Sequence, residues 1–590
     1  MKASKYKTEW NLGLLYKNEK DPQIEKDIKV IENAFASFEK KYKGKDFTST
    51  PKKLCAALEE YEKLIGIADS KPIIYLMLAN DMDTANSTIT ALEAVINQRL
   101  QKASNKIIFF ELLIAQISKE QQTTYLNHSS LKHFSYHLKK IFDTAKYNLS
   151  EKEERLLGLV YQTSKKMWVD ANKKLVSEQA VLHKNKMIPI SQATEIIQDL
   201  PKQERRKLRK DINTTLKSIS HLAEAELNAI VNFKKITDEV RGLKYPFTST
   251  VLRYENDEKE VLDLVSSVTK AFPLSHRYYK LHAKLLGEQK IFVADLYAPI
   301  GEIKKKFDYE TAISLIKRGF EKFGLEYNTI FEGYLMKGQI DAFPRKRKRA
   351  GGYCMFHAQL PVFILLNFTN NVKSVQTLAH EMGHAIHSEL SRKNTPLYQD
   401  FTTSVAEVAS TFFEQFIAEE LGGNLSEEDQ FILLHDQVGR DIMVIMRQIA
   451  CFNFEVDLHE SIRKEGKISK EAMAAMMNKH MQSYMGSAVE LGEEEGYTFV
   501  SWSHIRSFFY VYSYAYGLLI SKVLYQKWKE NNSYKTKIEQ FLSAGGSMSP
   551  KDIFKSIGIT TNKAFFEAGL KGIEADINKL EKLAKKFKKI

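Results

Sequence analysis

The stretch "TLAHEMGHAIHSEL", Thr377–Leu390, contains three histidines and two glutamates, and its apolar residues recur at helical spacing. Residues four apart share one face of an α-helix, so His380 and His384 would present both imidazoles one turn apart. Two imidazole nitrogens at this spacing can bind one metal ion, and Glu381 can reach a water on that ion from the side. The stretch therefore predicts a metal-binding helix.

A catalytic zinc site usually has three protein ligands, so a third ligand must be found beside His380 and His384. His387 shares the face, but seven residues rise roughly 10.5 Å along a helix, too far for His380 and His387 to bind one ion. Position 390, where a more distant histidine ligand would stand, is a leucine. We therefore expect His387 to pack or to support the site.

Glu407 is the better candidate for the third ligand. It lies in "TTSVAEVASTFFEQFIAEELGG", a predicted helix in which its neighbours are small and apolar. A carboxylate in such surroundings costs several kcal/mol unless it is paired or binds a cation. The sequence thus predicts a His–His–Glu site with an open fourth position. Glu414 either orients a ligand from behind or lies at the surface.

The composition predicts a mainly helical protein. Glycine (27) and proline (12) are sparse among 590 residues. The net charge is +14, with basic clusters at Arg205–Lys210 and Arg345–Arg349 that we expect to be solvated faces. Three distant cysteines predict no disulfide framework, and no apolar run predicts a signal peptide or a membrane span. We expect a cytoplasmic protein with no nucleic-acid or membrane partner.

The pattern along the chain predicts successive helices with one interruption. Between residues 341 and 370, a glycine pair, a proline and the run "PVFILLNF" predict a loop and a strand. We expect the free edge of this strand to pair with a peptide backbone. We divide the chain into an N-terminal helical lobe, residues 1–195, and a catalytic lobe, residues 196–590.

These stretches resemble the thimet oligopeptidase-like zinc peptidases, and most closely the oligoendopeptidase F group. The block "NFTNNVKSVQTLAHEMGHAIHSELSRKN" and the following "VAEVASTFFE" match the family's active-site block, with Glu407 at its third-ligand position. "WNLGLLYKN", "ADLYAPIG" and "FFEAGLKGIEADINKLEKL" also match, so the resemblance covers essentially the whole chain. "RAGGYC" is similar to the family's glycine-rich loop, with Cys354 where serine is commoner. That loop would bind substrate through Gly351, Gly352 and Tyr353.

The resemblance also gives a role to "SWSHIRSFFYVYSYAYGLL", Ser501–Leu519, which we interpret as one helical stretch with more polar aromatic groups than a core needs. It implies that His504 and Tyr516 donate to the oxyanion of the reacting carbonyl. Tyr510 and Tyr512 would contact substrate, and Tyr514 would pack.

The resemblance implies a two-lobed, mainly helical zinc peptidase with a deep substrate channel and a small β-sheet near the active site. It would hold one Zn²⁺ per chain, use Glu381 as general base and cleave internal bonds of short unfolded oligopeptides. The alternatives are a zinc exopeptidase and a basic helical nucleic-acid-binding protein with an inactive site. A cysteine peptidase built on Cys354 is a further alternative. The oligomeric state stays open.

Overall fold

A computed structural model describes residues 6–67, 70–357 and 359–590. The mainly helical class with small sheets is confirmed. Within the described ranges, no helix is both long and apolar enough to cross a membrane. The helices are α1 (Pro22–Tyr42), α2 (Pro51–Ile67), α3 (Lys71–Met82), α4 (Ser87–Ser104), α5 (Ile108–Ile114), α6 (Lys119–Asn127), α7 (Ser135–Thr144), α8 (Glu151–Tyr161), α9 (Met167–Ser177), α10 (Ile190–Ile196), α11 (Lys202–Ser218), α12 (Ser220–Arg241), α13 (Thr248–Arg253), α14 (Glu258–Lys270), α15 (Phe272–Leu285), α16 (Tyr309–Phe323), α17 (Leu325–Lys337), α18 (Val372–Ser391), α19 (Thr403–Gly423), α20 (Glu427–Ile442), α21 (Gln448–Glu465), α22 (Lys470–Met485), α23 (Tyr512–Glu530), α24 (Lys535–Ser543), α25 (Pro550–Ser556) and α26 (Lys563–Lys586).

The described chain divides into two compact units, each built from three separated stretches. Unit 1 takes the described part of Met1–Arg155 together with Lys305–Gly423 and Leu524–Ile559. Unit 2 takes Leu156–Lys304, Asn424–Val523 and Thr560–Ile590. This division differs from the predicted single boundary at residue 195, because contacts between segments hundreds of residues apart leave no mark on local composition.

Unit 1 contains a three-stranded sheet. The strands are β4 (Ile340–Asp341), β5 (Tyr353–Met355) and β6 (Phe363–Leu365), and unit 2 holds the pairs β1 (Ala180–His183) with β2 (Lys186–Pro189) and β3 (Ile291–Phe292) with β7 (Val489–Glu490). In the three-stranded sheet β6 lies in the middle, parallel to β4 and antiparallel to β5. The prediction of a free edge on "PVFILLNF" is therefore wrong, since both edges of β6 are paired. The two terminal strands of this sheet are β4 and β5.

Helix α18 follows directly from its sequence. Asn371 precedes it, and its side-chain oxygen accepts the backbone N–H of Ser374 at 2.8 Å, which satisfies one of the free donors of the first turn. The helix then buries a broad apolar face made of Val375, Leu378, Ala379, Met382, Ala385 and Ile386. Burial of this face anchors the metal-binding residues on a rigid element rather than on a loop.

Some members of the two basic clusters form internal ion pairs, whereas Lys207, Lys210 and Lys346 are exposed. Arg205 and Arg206 both bind the carboxylate of Asp295, at 2.8 and 2.6 Å. Arg345 and the buried Lys348 both bind Asp341, each at 2.6 Å. Cations held by buried carboxylates are less available to phosphates, and the exposed lysines agree with the predicted solvated faces.

Candidate active site

Helices α18 and α19 approach each other closely at a glycine. A Cβ atom added to Gly383 would lie 2.6 Å from the Cα atom of Ser410 and 3.1 Å from the carbonyl oxygen of Ala409. Real side chains do not tolerate such contacts with backbone. Gly383 therefore permits the approach that brings donors from the two helices together.

The three predicted ligands come together at this crossing. His380, His384 and Glu407 each offer one donor atom, and these atoms lie within 4.8 Å of one another. The Nε2 nitrogen of His380 lies 3.8 Å from a carboxylate oxygen of Glu407. The two imidazole rings have centroids 4.8 Å apart and stand at 88° to each other. Two imidazoles and one carboxylate form a donor set suited to a borderline divalent metal such as zinc.

Both histidine rings are oriented by hydrogen bonds from behind. Nδ1 of His380 donates to a carboxylate oxygen of Glu414, which lies on α19. The ring of His384 hydrogen-bonds the backbone of Ala406. Burial, with His380 and His387 nearby, holds the pKa of that ring well below its usual range. A ligand histidine whose second nitrogen is held in this way has a fixed tautomer and a fixed ring plane.

The electrostatics of the group favour a cation. Burial lowers the pKa of His380, but the carboxylates of Glu414, Glu407 and Glu381 outweigh it and raise that pKa to about 10. Burial raises the pKa of Glu407, opposed by His380 and reinforced by Glu414. Three carboxylates around two imidazoles thus leave surplus negative charge, which a divalent metal would neutralise. The residues present fit a metal ion.

Glu381 lies beside this group and is almost fully buried. Burial raises its pKa to about 7; His380 opposes the shift, and the neighbouring carboxylates Glu407 and Glu414 add to it. The backbone N–H of Cys354 donates to its carboxylate. A carboxylate with a pKa near neutrality is suited to accept and return a proton.

The glycine-rich loop leaves space in front of this carboxylate. A Cβ atom at Gly352 would lie 2.9 Å from Cγ2 of Thr377 and 3.5 Å from Oε1 of Glu381. Gly351 adopts a φ of +86°, a backbone conformation that favours glycine. Glycine at both positions therefore allows the loop to turn into β5 beside the carboxylate of Glu381.

The next two residues of the loop have mainly local roles. The hydroxyl of Tyr353 donates to Asp81 at 2.5 Å, so this donor is already used within unit 1. Burial, with Glu381 and Glu389 nearby, raises the pKa of the Cys354 thiol well above its usual range. A thiol held protonated is a poor nucleophile, which argues against the cysteine-peptidase alternative.

His387 lies outside the metal-binding group. Its side chain is fully buried and its ring stacks on Phe401 with centroids 3.7 Å apart. Burial lowers its pKa to about 3, so the ring is neutral. His387 therefore has a packing role: it joins α18 to Phe401.

The aromatic stretch of unit 2 is not one continuous helix. His504 lies in a short 3₁₀ turn, Ser503–Arg506, and α23 begins only at Tyr512. Between them, Phe508 and Phe509 both have left-handed backbone, with φ of +55° and +59°. Because of this bend, the faces of α23 cannot be derived by counting helical turns from His504.

The bend brings His504, Tyr510 and Tyr514 together. The Tyr510 hydroxyl lies 3.0 Å from Nδ1 of His504 and 3.4 Å from the Tyr514 hydroxyl, and all three side chains are half-buried. The ring of Tyr514 stacks on His504 with centroids 5.8 Å apart. Sequence reasoning assigned Tyr514 to packing, although its four-residue spacing from Tyr510 could have indicated the pair.

Tyr512 and Tyr516 lie on the opposite side of α23, in the core of unit 2. Both side chains are fully buried. Tyr512 donates to Asn256 at 2.8 Å, and Tyr516 donates to Glu260 at 3.0 Å. A substrate-binding donor needs a reachable hydroxyl, so these positions do not support the predicted roles of Tyr512 and Tyr516. They are one turn apart on one face, as predicted, but that face is packed.

A helical fold that holds two histidines and a glutamate on two crossing helices, with a second glutamate beside the first histidine, is typical of metallopeptidases. The model of peptidase family M3 matches residues 200–571, and the model described as oligopeptidase F matches residues 114–178. The chain belongs to peptidase family M3, a family of metallopeptidases.

Named relatives span nearly the whole chain. The oligoendopeptidase F homolog of Borreliella burgdorferi is 27% identical, over 97% of this chain and 98% of that protein. Oligopeptidase PepF of Bacillus subtilis is 28% identical, over 98% of this chain and 88% of that protein. The crystal structure of oligoendopeptidase-F from Enterococcus faecium shares the fold, with a TM-score of 0.73, 20% identity and coverage of 96% and 99% of the two chains. The resemblance to the oligoendopeptidase F group is confirmed.

Proposed function

We propose that the protein is a zinc-dependent endopeptidase that hydrolyses internal bonds of short, unfolded oligopeptides. The observation that carries this proposal is the convergence of His380, His384 and Glu407 within 4.8 Å, with Glu381 on the same helix turn as the first histidine. Membership in a metallopeptidase family supports it. The nucleic-acid alternative has less support, because several cations of its basic clusters are paired internally.

One zinc ion per chain would be held by the two imidazoles and the Glu407 carboxylate. When bound, it would supply a Lewis acid that polarises the reacting carbonyl and lowers the pKa of a coordinated water towards 7. Glu381 accepts a proton from the attacking water and returns it to the departing amine. The Cys354 N–H holds the Glu381 carboxylate in place for both transfers.

Substrate backbone pairs with the outer edge of β5 in this proposal. The strand is terminal in its sheet and lies beside Glu381; because its Cys354 N–H binds that carboxylate, the substrate pairs with the other outward backbone groups of the strand. Backbone pairing accepts many side chains, which agrees with broad sequence tolerance. His504 and Tyr510 remain the proposed substrate-contacting donors of unit 2. The support for them is the family resemblance and their accessible, mutually bonded side chains.

The test is cleavage of an internally quenched peptide of about ten residues, blocked at both ends, by wild type and by Glu381→Gln, with bound metal assayed in both. We expect wild type to cut internally and the variant to keep its metal but lose turnover. An exopeptidase would leave the doubly blocked peptide intact while cutting its unblocked counterpart. If both proteins hold metal and neither cuts either peptide, the proposal fails.

A further inference from the structure

Unit 2 contains a cavity of about 960 Å³, of whose lining residues the proposed function uses only Tyr510. It lies beside the helical segment that joins α8 to α9, and Arg253, Tyr254 and Tyr510 also line it. Tyr510 connects the cavity to His504, to which its hydroxyl is bonded. The volume is ample for several side chains of a peptide.

The charged groups of the wall are mainly cationic, and some are paired. Lys166 binds Asp170 at 2.7 Å. Arg506 binds the buried Glu226 at 2.7 and 3.0 Å. These two cations are neutralised within the unit and are not available to a ligand.

Three other cations line the wall: the half-buried Lys165 and the exposed Lys173 and Arg253. Among the described residues, no ion pair joins any of the three to a carboxylate within 4.0 Å. Lys165 is half-buried, with its ammonium 3.9 Å from the centre of the Phe508 ring. Burial, together with the neighbouring cations Lys234 and Arg253, lowers its pKa to about 8, and Glu455 opposes that shift. A partly buried charge in this position gains from an external anion.

Two irregular backbone segments position the Lys165 side chain: the one that contains Lys165 and the bend at Phe508 and Phe509 that faces it. Gln162–Lys166 forms a π-turn inside an otherwise α-helical segment, a feature frequent at functional sites because it redirects side chains. The facing bend holds two successive left-handed phenylalanines, a conformation that costs about 1–2 kcal/mol at each bulky residue.

Specific contacts maintain that bend. A carboxylate oxygen of the buried Glu455 accepts the N–H of Phe509 at 2.8 Å. The hydroxyl of Thr250 donates to the carbonyl oxygen of Phe508 at 3.0 Å. The bend thereby presents the Phe508 ring to the Lys165 ammonium and the Tyr510 hydroxyl to the cavity.

We propose that this cavity is an anion-binding subsite, in which Lys165 and Arg253 bind a carboxylate of the peptide substrate next to Tyr510. This inference rests on the proposed function and adds to it a substrate preference for acidic peptides. The carboxylate comes either from a Glu or Asp side chain or from the peptide's C-terminus. An ammonium and a guanidinium suit both, because each forms charge-assisted hydrogen bonds to carboxylate oxygens.

The test compares pairs of quenched peptides that differ only in charge. In one set a single Glu replaces Gln at each position in turn, and in the other a free C-terminal carboxylate replaces the amide. We measure the ratio of kcat/KM for the acidic peptide to that for its neutral partner. The proteins are wild type, Lys165→Met, Lys165→Arg, Arg253→Gln and, as a control, Lys174→Met, which removes an exposed cation of α9 outside the cavity.

We expect wild type to favour the acidic member of at least one pair by about tenfold, the effect of one charge-assisted contact. Lys165→Met and Arg253→Gln should bring that ratio close to one, while Lys165→Arg and Lys174→Met should keep it. If the Glu-for-Gln set shows the preference, the carboxylate is a side chain; if the C-terminal set shows it, the carboxylate is the peptide's C-terminus. A wild-type ratio of one in every pair, or an unchanged ratio in Lys165→Met, overturns the subsite.

A separate measurement distinguishes this failure from failure of the proposed function. If wild type cuts no peptide, the peptidase proposal fails on its own. The subsite is then judged by binding of fluorescent acidic and neutral peptides to Glu381→Gln and to Glu381→Gln combined with Lys165→Met. Tighter binding of the acidic peptide that the second substitution abolishes supports the subsite, and equal binding rejects it.

Discussion

Nδ1 of His380 is hydrogen-bonded to the carboxylate of Glu414, 34 residues further along the chain. This contact fixes which nitrogen of the imidazole faces Glu407, and it places negative charge behind the ring. Second partners of this kind commonly contribute 10- to 100-fold to metal affinity.

We therefore expect Glu414→Ala to weaken zinc binding by about 10- to 100-fold, and Glu414→Gln, which can still accept the hydrogen bond, to weaken it less. Competition with a chromophoric chelator measures the affinity. Glu419→Gln is the control, because Glu419 is an exposed residue of the same helix that pairs with Lys529. Equal zinc affinity in Glu414→Ala and wild type would contradict the assignment.

A second prediction concerns the crossing of α18 and α19. Gly383→Ala would place a methyl group against the backbone of Ser410, which cannot move aside as a flexible side chain can. We expect a loss of about 2 kcal/mol in the free energy of unfolding, together with weaker metal binding, because the helices must separate.

Thermal unfolding and metal content measure both effects. Gly422→Ala is the matched control: Gly422 is near the end of α19, and nothing lies within 4 Å of the position its Cβ would take. The control should be neutral or slightly stabilising, since alanine favours a helix more than glycine does. If the two variants behave alike, the close crossing does not position the ligands.

The metal-binding residues could be predicted from the sequence because their geometry is mostly local. A four-residue spacing places His380 and His384 on one face whatever surrounds the helix. Glu407 could be selected because its neighbours are apolar, which makes a free carboxylate costly. Both inferences use one helix at a time, and neither needs the path of the chain between them.

The aromatic stretch shows what the sequence could not provide. The resemblance implied a substrate-facing Tyr516 from its spacing to His504, in a stretch that we interpreted as one helix. Two phenylalanines in left-handed backbone break that helix, and nothing in a Phe-Phe pair signals such a conformation, which glycine or asparagine adopts more readily. The contacts that stabilise the bend come from Thr250 and Glu455, both distant in the sequence.

The two tyrosines can be separated by experiment. We expect Tyr510→Phe to lower kcat/KM by about 100-fold with unchanged stability, as removal of a donor to developing charge does. We expect Tyr516→Phe to lower the free energy of unfolding by about 1–3 kcal/mol, because buried Glu260 loses a donor, with little change in turnover per folded molecule.

Kinetics and chemical denaturation of both variants, with metal content measured in each, provide the comparison. The reverse pattern, with Tyr516→Phe inactive and stable, would restore the role that the sequence predicted for Tyr516. Loss of metal in either variant would point instead to an indirect effect on the site.

The last prediction concerns Glu455, which supports the strained bend. Burial raises its pKa to about 8, opposed by its hydrogen bond from the Phe509 N–H and by Lys165. In the unfolded chain a glutamate titrates near 4.3. Between these two values the folded state binds the extra proton, so the contribution of Glu455 to stability is fully present at low pH and is lost as the pH rises towards 8.

Glu455→Gln cannot ionise and should lack this loss. We expect wild type to lose stability relative to the variant between about pH 5 and about pH 8, by at most about 1.4 kcal/mol per pH unit. Melting temperatures of both proteins across that range measure the difference. Glu460→Gln, an exposed change on the same helix, is the control and should follow wild type. Parallel curves for wild type and Glu455→Gln would mean that Glu455 does not hold its proton in the folded protein.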